Sequence, residues 1–135
     1  MRSPRLASLL MTFVGILAVS GCTSAPSDLP ELAPVTGTVT LDSKPLANAS
    51  VSFESSNGQV AFGQTDAEGH YELNFRDGAK GAEVGENKVR IETVLEGPPA
   101  PNYRDPIPAK YNSKSTLTRN VSKDNPVQDF ELTSK

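Results

Sequence analysis

From Val35 onward the apolar residues of this chain recur at every second position, in short runs divided by turn-forming residues. Side chains of a strand point alternately to its two faces, so such runs read as strands with one buried face. No stretch after residue 22 carries the three-to-four spacing of an amphipathic helix. A chain built of such runs has to bury its apolar faces by packing sheet on sheet.

Seven runs are expected to be strands: residues 35–41, 49–54, 60–65, 70–76, 87–95, 116–121 and 127–132. In the first, Val35, Gly37, Val39 and Leu41 alternate with threonines, a composition suited to a pleated, half-buried surface. In 70–76, Tyr71, Leu73 and Phe75 share one face and His70, Glu72, Asn74 and Arg76 the other. The dividers carry turn chemistry: Asp42-Ser43-Lys44-Pro45, Ser55-Ser56-Asn57-Gly58 and Asp66-Ala67-Glu68-Gly69. The third is expected to close a hairpin, with the Asp66 carboxylate bonded to backbone and Gly69 at positive φ. Residues 77–82 read as a glycine-rich connection, and 116–132 as a final hairpin around Lys123-Asp124-Asn125-Pro126. The expected fold class is all-β, a seven-stranded antiparallel β-sandwich over residues 35–135.

The first 34 residues have a different character. Arg2 and Arg5 precede an uncharged, mostly apolar run over 6–19. That run is about 14 residues long, where a spanning helix needs roughly 20, so it reads as the core of an export signal. It ends in Val19-Ser20-Gly21-Cys22, which resembles the lipobox of bacterial lipoproteins: an apolar residue, two small ones and a cysteine. The resemblance implies a signal peptide over 1–21, cleavage between Gly21 and Cys22, and diacylglycerol on the Cys22 thiol. An acyl chain such as palmitate on the freed amine would complete the anchor. One chain holds a protein to a bilayer marginally, and two or three hold it stably. Residues 22–34, with Pro26, Pro30 and Pro34, then form a semi-extended tether.

Cys22 is the one cysteine of the chain, so a lipidated Cys22 excludes an intramolecular disulfide, and the core alone has to hold the fold. The signal holds two of the 13 basic residues and none of the 16 acidic ones, which leaves the mature part at net −5. That balance argues against nucleic acid as a partner.

Four stretches resemble the carboxypeptidase-regulatory-like, or transthyretin-like, β-sandwich. They are Val35-Thr36-Gly37-Thr38-Val39-Thr40-Leu41-Asp42-Ser43-Lys44-Pro45-Leu46, Ala47-Asn48-Ala49-Ser50-Val51-Ser52-Phe53, Thr65-Asp66-Ala67-Glu68-Gly69-His70-Tyr71-Glu72-Leu73 and the glycine-marked entry from Gly81 to Ile91. Ser43 stands where that family often has glycine. The stretch from Ile107-Pro108-Ala109-Lys110-Tyr111-Asn112 to Leu132 is similar to small planctomycete-type lipoproteins bearing this domain. Together the stretches cover most of 35–132. The resemblance implies an accessory, adhesive or stabilising module, since such folds host many roles.

Catalysis is not expected. His70 is the sole histidine and falls on a polar strand face, without a motif that would supply a nucleophile or an acid partner. The family includes 5-hydroxyisourate hydrolases, which use several histidines, an arginine and a C-terminal Tyr-Arg-Gly-Ser. This chain ends Glu131-Leu132-Thr133-Ser134-Lys135. A transthyretin-type small-ligand carrier or hydrolase is therefore the alternative reading, and a non-catalytic binding or structural module of the envelope the leading one. Asp66 and Glu68 are too few for a calcium loop, and turn chemistry accounts for them. The glycines of 78–85 lack a phosphate-loop lysine and a following helix. Asn48-Ala49-Ser50 and Asn120-Val121-Ser122 match glycosylation sequons, read as accidental beside a bacterial lipobox. No cofactor and no metal is assigned.

Recognition is placed in the proline-dense stretch 97–112, where Tyr103, Arg104, Lys110 and Tyr111 could meet an envelope protein or glycan. The competing account has Tyr111 capping the sandwich edge and Ile107 plugging the core. The absence of tryptophan weakens a glycan claim. Location is expected at the cell membrane or outer membrane, through the lipid on Cys22. In bacteria with two membranes an aspartate after the lipidated cysteine commonly signals inner-membrane retention, so the lipobox resemblance, with Thr23 there, implies outer-membrane sorting.

Overall fold

Residues 49–55 bury every second side chain, Ala49, Val51, Phe53 and Ser55, and leave the others half-exposed. The strand expected there is the centre of the structure. The computed structural model describes residues 28–135. The expected signal over 1–21, its cleavage at Gly21 and Cys22, the lipid on Cys22 and residues 23–27 of the tether lie outside the described residues.

The chain forms β1 (Leu32–Ala33), β2 (Thr36–Leu41), β3 (Lys44–Pro45), β4 (Ala49–Ser55), β5 (Val60–Gln64), β6 (His70–Glu72), β7 (Ala82–Glu83), β8 (Gly85–Thr93), β9 (Thr118–Val121) and β10 (Phe130–Leu132). Single 3-10 turns occupy Arg76–Gly78 and Ala109–Tyr111. Each of the seven expected segments contains a strand, and β1, β3 and β7 are additional two-residue strands. The fold is all-β, and among the described residues no helix is long and apolar enough to cross a membrane.

One sheet runs β5-β4-β8-β9, antiparallel throughout. The other is centred on β2, which pairs β10 on one side and β3 and β6 on the other. Inward residues of both meet in one core. The Phe130 ring stands edge-on to Phe53 at 6.1 Å and lies 6.3 Å from Tyr71. Val39, Val51, Leu73, Val89, Ile91 and Val121 close around them, fully buried.

The structure departs from the expectation of uniformly antiparallel pairing. β10 runs parallel to β2, with Phe130 opposite Val39 and Leu132 opposite Leu41. The expected final hairpin is also corrected: β9 pairs β8, and β10 pairs β2. Residues 122–129 carry the chain from one sheet to the other, so β10 arrives beside β2 in the same direction. The hairpin around residues 66–69 forms as a shared corner. Asp66 N–H bonds to the His70 carbonyl, Phe62 and Asn74 exchange backbone bonds, and between these points β6 pairs with β2.

The fold also takes in residues of the expected tether and of the expected 77–82 connection. Ala33 and Ala82 face each other across the β1–β7 pair and are fully buried. Glu31 carbonyl accepts from Val84 N–H, and Leu29 and Leu32 pack against the core.

The strand registers give the molecule two ends. At the lower end lie the start of β2, the end of β4, Gly85 opposite Val121, and the β1–β7 pair. At the upper end lie Leu41 beside Leu132, the β2–β3 turn, and Ala49 opposite Thr93. Asp42 and Ser43 in that turn have φ of 50° and 66°, the two positive values that a tight two-residue hairpin turn needs. Ser43 thus takes, without glycine's freedom, the conformation for which glycine is favoured.

Candidate functional site

The long connection from β8 to β9 leaves the upper end and packs back on it. Its anchor is Asp105, whose Oδ1 accepts from Thr93 Oγ1 at 2.7 Å and from Ile107 N–H at 2.9 Å. Those bonds turn Ile107 inward, where it is 1% exposed. Ser115 Oγ donates to the Val89 carbonyl and closes the far side of the loop onto β8. Ile107 therefore acts as a plug.

The four expected recognition residues fall into two pairs. Tyr111 is half-buried, its hydroxyl 3.3 Å from Thr133 Oγ1, and it accepts from Thr133 N–H at 3.2 Å. Those Thr133 bonds, more than the adjacent Lys110 charge, lower the phenol's pKa. Lys110 lies 5.0 Å over the Tyr111 ring and donates to the Lys135 carbonyl at 2.6 Å. Both side chains thus clasp the C-terminal residues after β10. Tyr103 and Arg104 face solvent in a turn closed by the Tyr103 N–H to Ala100 carbonyl bond. The structure therefore brings Lys110 and Tyr111 together, and it leaves Tyr103 and Arg104 as the open tip.

Exposed apolar side chains that the sequence reading passed over lie nearby. Val94 and Leu95 follow β8 at the same end and are 37% and 44% exposed. On the outer face of the larger sheet, Phe62 is 61% exposed and sits opposite Ser52, which in turn sits opposite Arg90. β5 buries its small residues, Ala61 and Gly63, because a side chain on Gly63 would run into the Glu72 carbonyl. Its large residues consequently face out. Alternation of small with large residues was the available signal, but it does not fix which set goes inward.

His70 lies in a shallow, open depression of about 400 Å³ lined by Thr36, Gly37, Gln64, Asp66, Tyr71 and Glu72. Its Nδ1 is 2.9 Å from Thr38 Oγ1, the residue directly opposite across the β2–β6 ladder. Directly opposed strand residues meet in this way as a matter of register. Asp66 Oδ1 accepts from the N–H groups of Glu68 and His70 at 3.0 and 2.9 Å, so the carboxylate builds the turn. Among the described residues no three His, Cys, Asp or Glu side chains converge.

The lower end is fastened by ion pairs. Lys123 Nζ meets Glu31 Oε1 at 2.8 Å and Lys80 meets Glu72 at 2.7 Å. The hydrogen bond from Lys123, and then its charge, holds the Glu31 carboxyl below its usual value, and Lys123 is raised reciprocally. At the upper end Asp42 is lowered by hydrogen bonds from Ser134. No protein-family model, curated protein or solved structure matches the chain.

Proposed function

We propose that the chain is a membrane-anchored extracytoplasmic lipoprotein whose β-domain is a non-catalytic binding or structural module of the cell envelope. The observation that carries this reading is Val19-Ser20-Gly21-Cys22, placed where an uncharged apolar run with a basic start ends. In this reading Cys22 bears the lipid, residues 1–21 are removed, and the protein sits at the cell membrane or outer membrane. The domain is a transthyretin-like or carboxypeptidase-regulatory-like sandwich. Its seven longer strands, β2, β4, β5, β6, β8, β9 and β10, fall in the expected segments, which supports that reading. Tyr103 and Arg104, with Val94 and Leu95 at the same end, offer the surface for an envelope protein or glycan.

The carrier or hydrolase alternative would have to work from the Thr38–His70 contact. That contact lies in an open depression, and among the described residues no carboxylate bonds the ring to orient it as a base. The test is intact mass of the mature protein with membrane fractionation of wild type and Cys22→Ala. A mature chain beginning at an acylated Cys22, and a Cys22→Ala form that stays unprocessed, are expected. A wild-type protein that retains residues 1–21 or carries an unmodified Cys22 would sink the proposal.

A further inference from the structure

The chain enters the fold at the lower end, and the long loop leaves from the upper. Entry is fixed by four contacts: Ala33 buried against Ala82, Glu31 carbonyl bonded to Val84, Glu31 paired with Lys123, and the Asp28 carbonyl accepting from Arg76. Exit is fixed by Thr93, which stands opposite Ala49 at the far end of β8 from Gly85. Those nine residues of β8 place the ends about 26 Å apart, at ~3.3 Å per strand residue. From Cys22 to Asp28 the chain is six residues, a reach of about 20 Å at full extension. The anchor's reach is therefore shorter than the domain is tall.

Taking the anchoring reading above as its premise, we infer that the domain stands end-on at the bilayer. The loops at residues 56–59 and 122–126 face the lipid, and the tip bearing Tyr103 and Arg104 is held on the side away from it. The charge of the lower end does not draw it onto the lipid. Lys80 and Lys123 are paired with Glu72 and Glu31, and the exposed Arg76 and Lys88 are outnumbered there by the exposed Asp77, Glu86 and Asp124. An anionic headgroup surface gains nothing from adsorbing that end, so the tether alone sets the stand-off.

The experiment uses the full lipidated chain in phosphatidylcholine–phosphatidylglycerol vesicles carrying an acceptor dye on the headgroup. With Cys22 blocked by lipid, a single new thiol labels uniquely. Ser56→Cys marks the lower end and Asn102→Cys the upper, and both positions are exposed. With the ends about 26 Å apart, donor quenching about twofold deeper at Ser56→Cys than at Asn102→Cys is expected. Equal quenching, as a domain lying on its exposed Phe62 face would give, or deeper quenching at Asn102→Cys, overturns the end-on inference. Flotation with vesicles is measured first, for the lipidated chain and for a Cys22→Ala form that begins at position 22 and so lacks the apolar run of the signal. Flotation that does not depend on Cys22 refutes the anchoring reading and this inference with it. Cys22-dependent flotation with equal quenching refutes the orientation alone.

Discussion

The Tyr71 hydroxyl donates to the Gln128 carbonyl at 2.5 Å, in the buried space where the ring passes over β2. Burial raises the phenol's pKa, Asp129 adds to the rise, and Arg119 opposes it. The sign of the linkage follows. A group whose folded pKa exceeds its unfolded value stabilises fully below the unfolded value, about 10 for tyrosine, and loses that contribution as pH rises beyond it. Tyr71→Phe is therefore expected to cost about 1–2 kcal/mol at neutral pH by leaving the Gln128 carbonyl unpaired. The same change is expected to flatten the fall in stability above pH about 10. Urea midpoints between pH 7 and 11 check both. A neutral-pH midpoint unchanged by the substitution would show that the bond contributes nothing. The inward direction of Tyr71 was legible, because it shares a face with Leu73 and Phe75. Its acceptor was not. Gln128 lies 57 residues away, and its buried position depends on how β10 docks. Asn87 is a similar case. It reads as an ordinary strand residue, yet it is 1% exposed and donates to the Glu83 and Gly85 carbonyls at 2.8 and 3.0 Å.

At the scale of strands, the parallel β2–β10 pair is what the local pattern could not reveal. Alternation marks a strand and its inward face, and turn residues mark where it ends. Neither says which neighbour it takes, and two consecutive strands around Lys123-Asp124-Asn125-Pro126 read most simply as a hairpin. Gly37 carries the trace of the real arrangement. A Cβ there would collide with the Gln128 carbonyl and come within 2.9 Å of the Tyr71 ring. The position is glycine because β2 is approached closely by the segment entering β10 and crossed by Tyr71. Backbone does not yield as a side-chain tip does, so Gly37→Ala is expected to cost about 3 kcal/mol. Its mark would be faster hydrogen exchange at the Gln128 amide, which bonds to the Thr36 carbonyl. Unchanged stability and protection would mean that the β2–β10 pairing is not as described. Gly69 was the easier glycine. Its turn is legible from Asp66 and the loop length, and its φ of 78° fits that.

For the molecule as a whole, the long loop does two jobs at two places, which its sequence leaves as competing accounts. Proline density gave away the loop, but it could not say which apolar residue turns inward. Asp105 decides this by capping Ile107 N–H while holding Thr93, so the plug and the end of β8 are tied by one carboxylate. The loop's outer part, with Tyr103, makes no comparable commitment to the core. Stability and recognition should therefore separate on mutation. Ile107→Ala is expected to lower unfolding free energy by about 2–4 kcal/mol, the cost of emptying a buried aliphatic site. In a chain whose sole cysteine is proposed to carry lipid, no disulfide would offset that loss. Tyr103 is 38% exposed, and Tyr103→Ala is expected to cost less, about 1 kcal/mol. If the tip is the binding surface, the same change should weaken capture of an envelope component by an immobilised domain. Thermal melts of the two variants decide the structural half. Equal destabilisation by both would mean the loop folds as one unit, and the tip would then be part of the scaffold, with recognition to be sought on the outer face around Phe62.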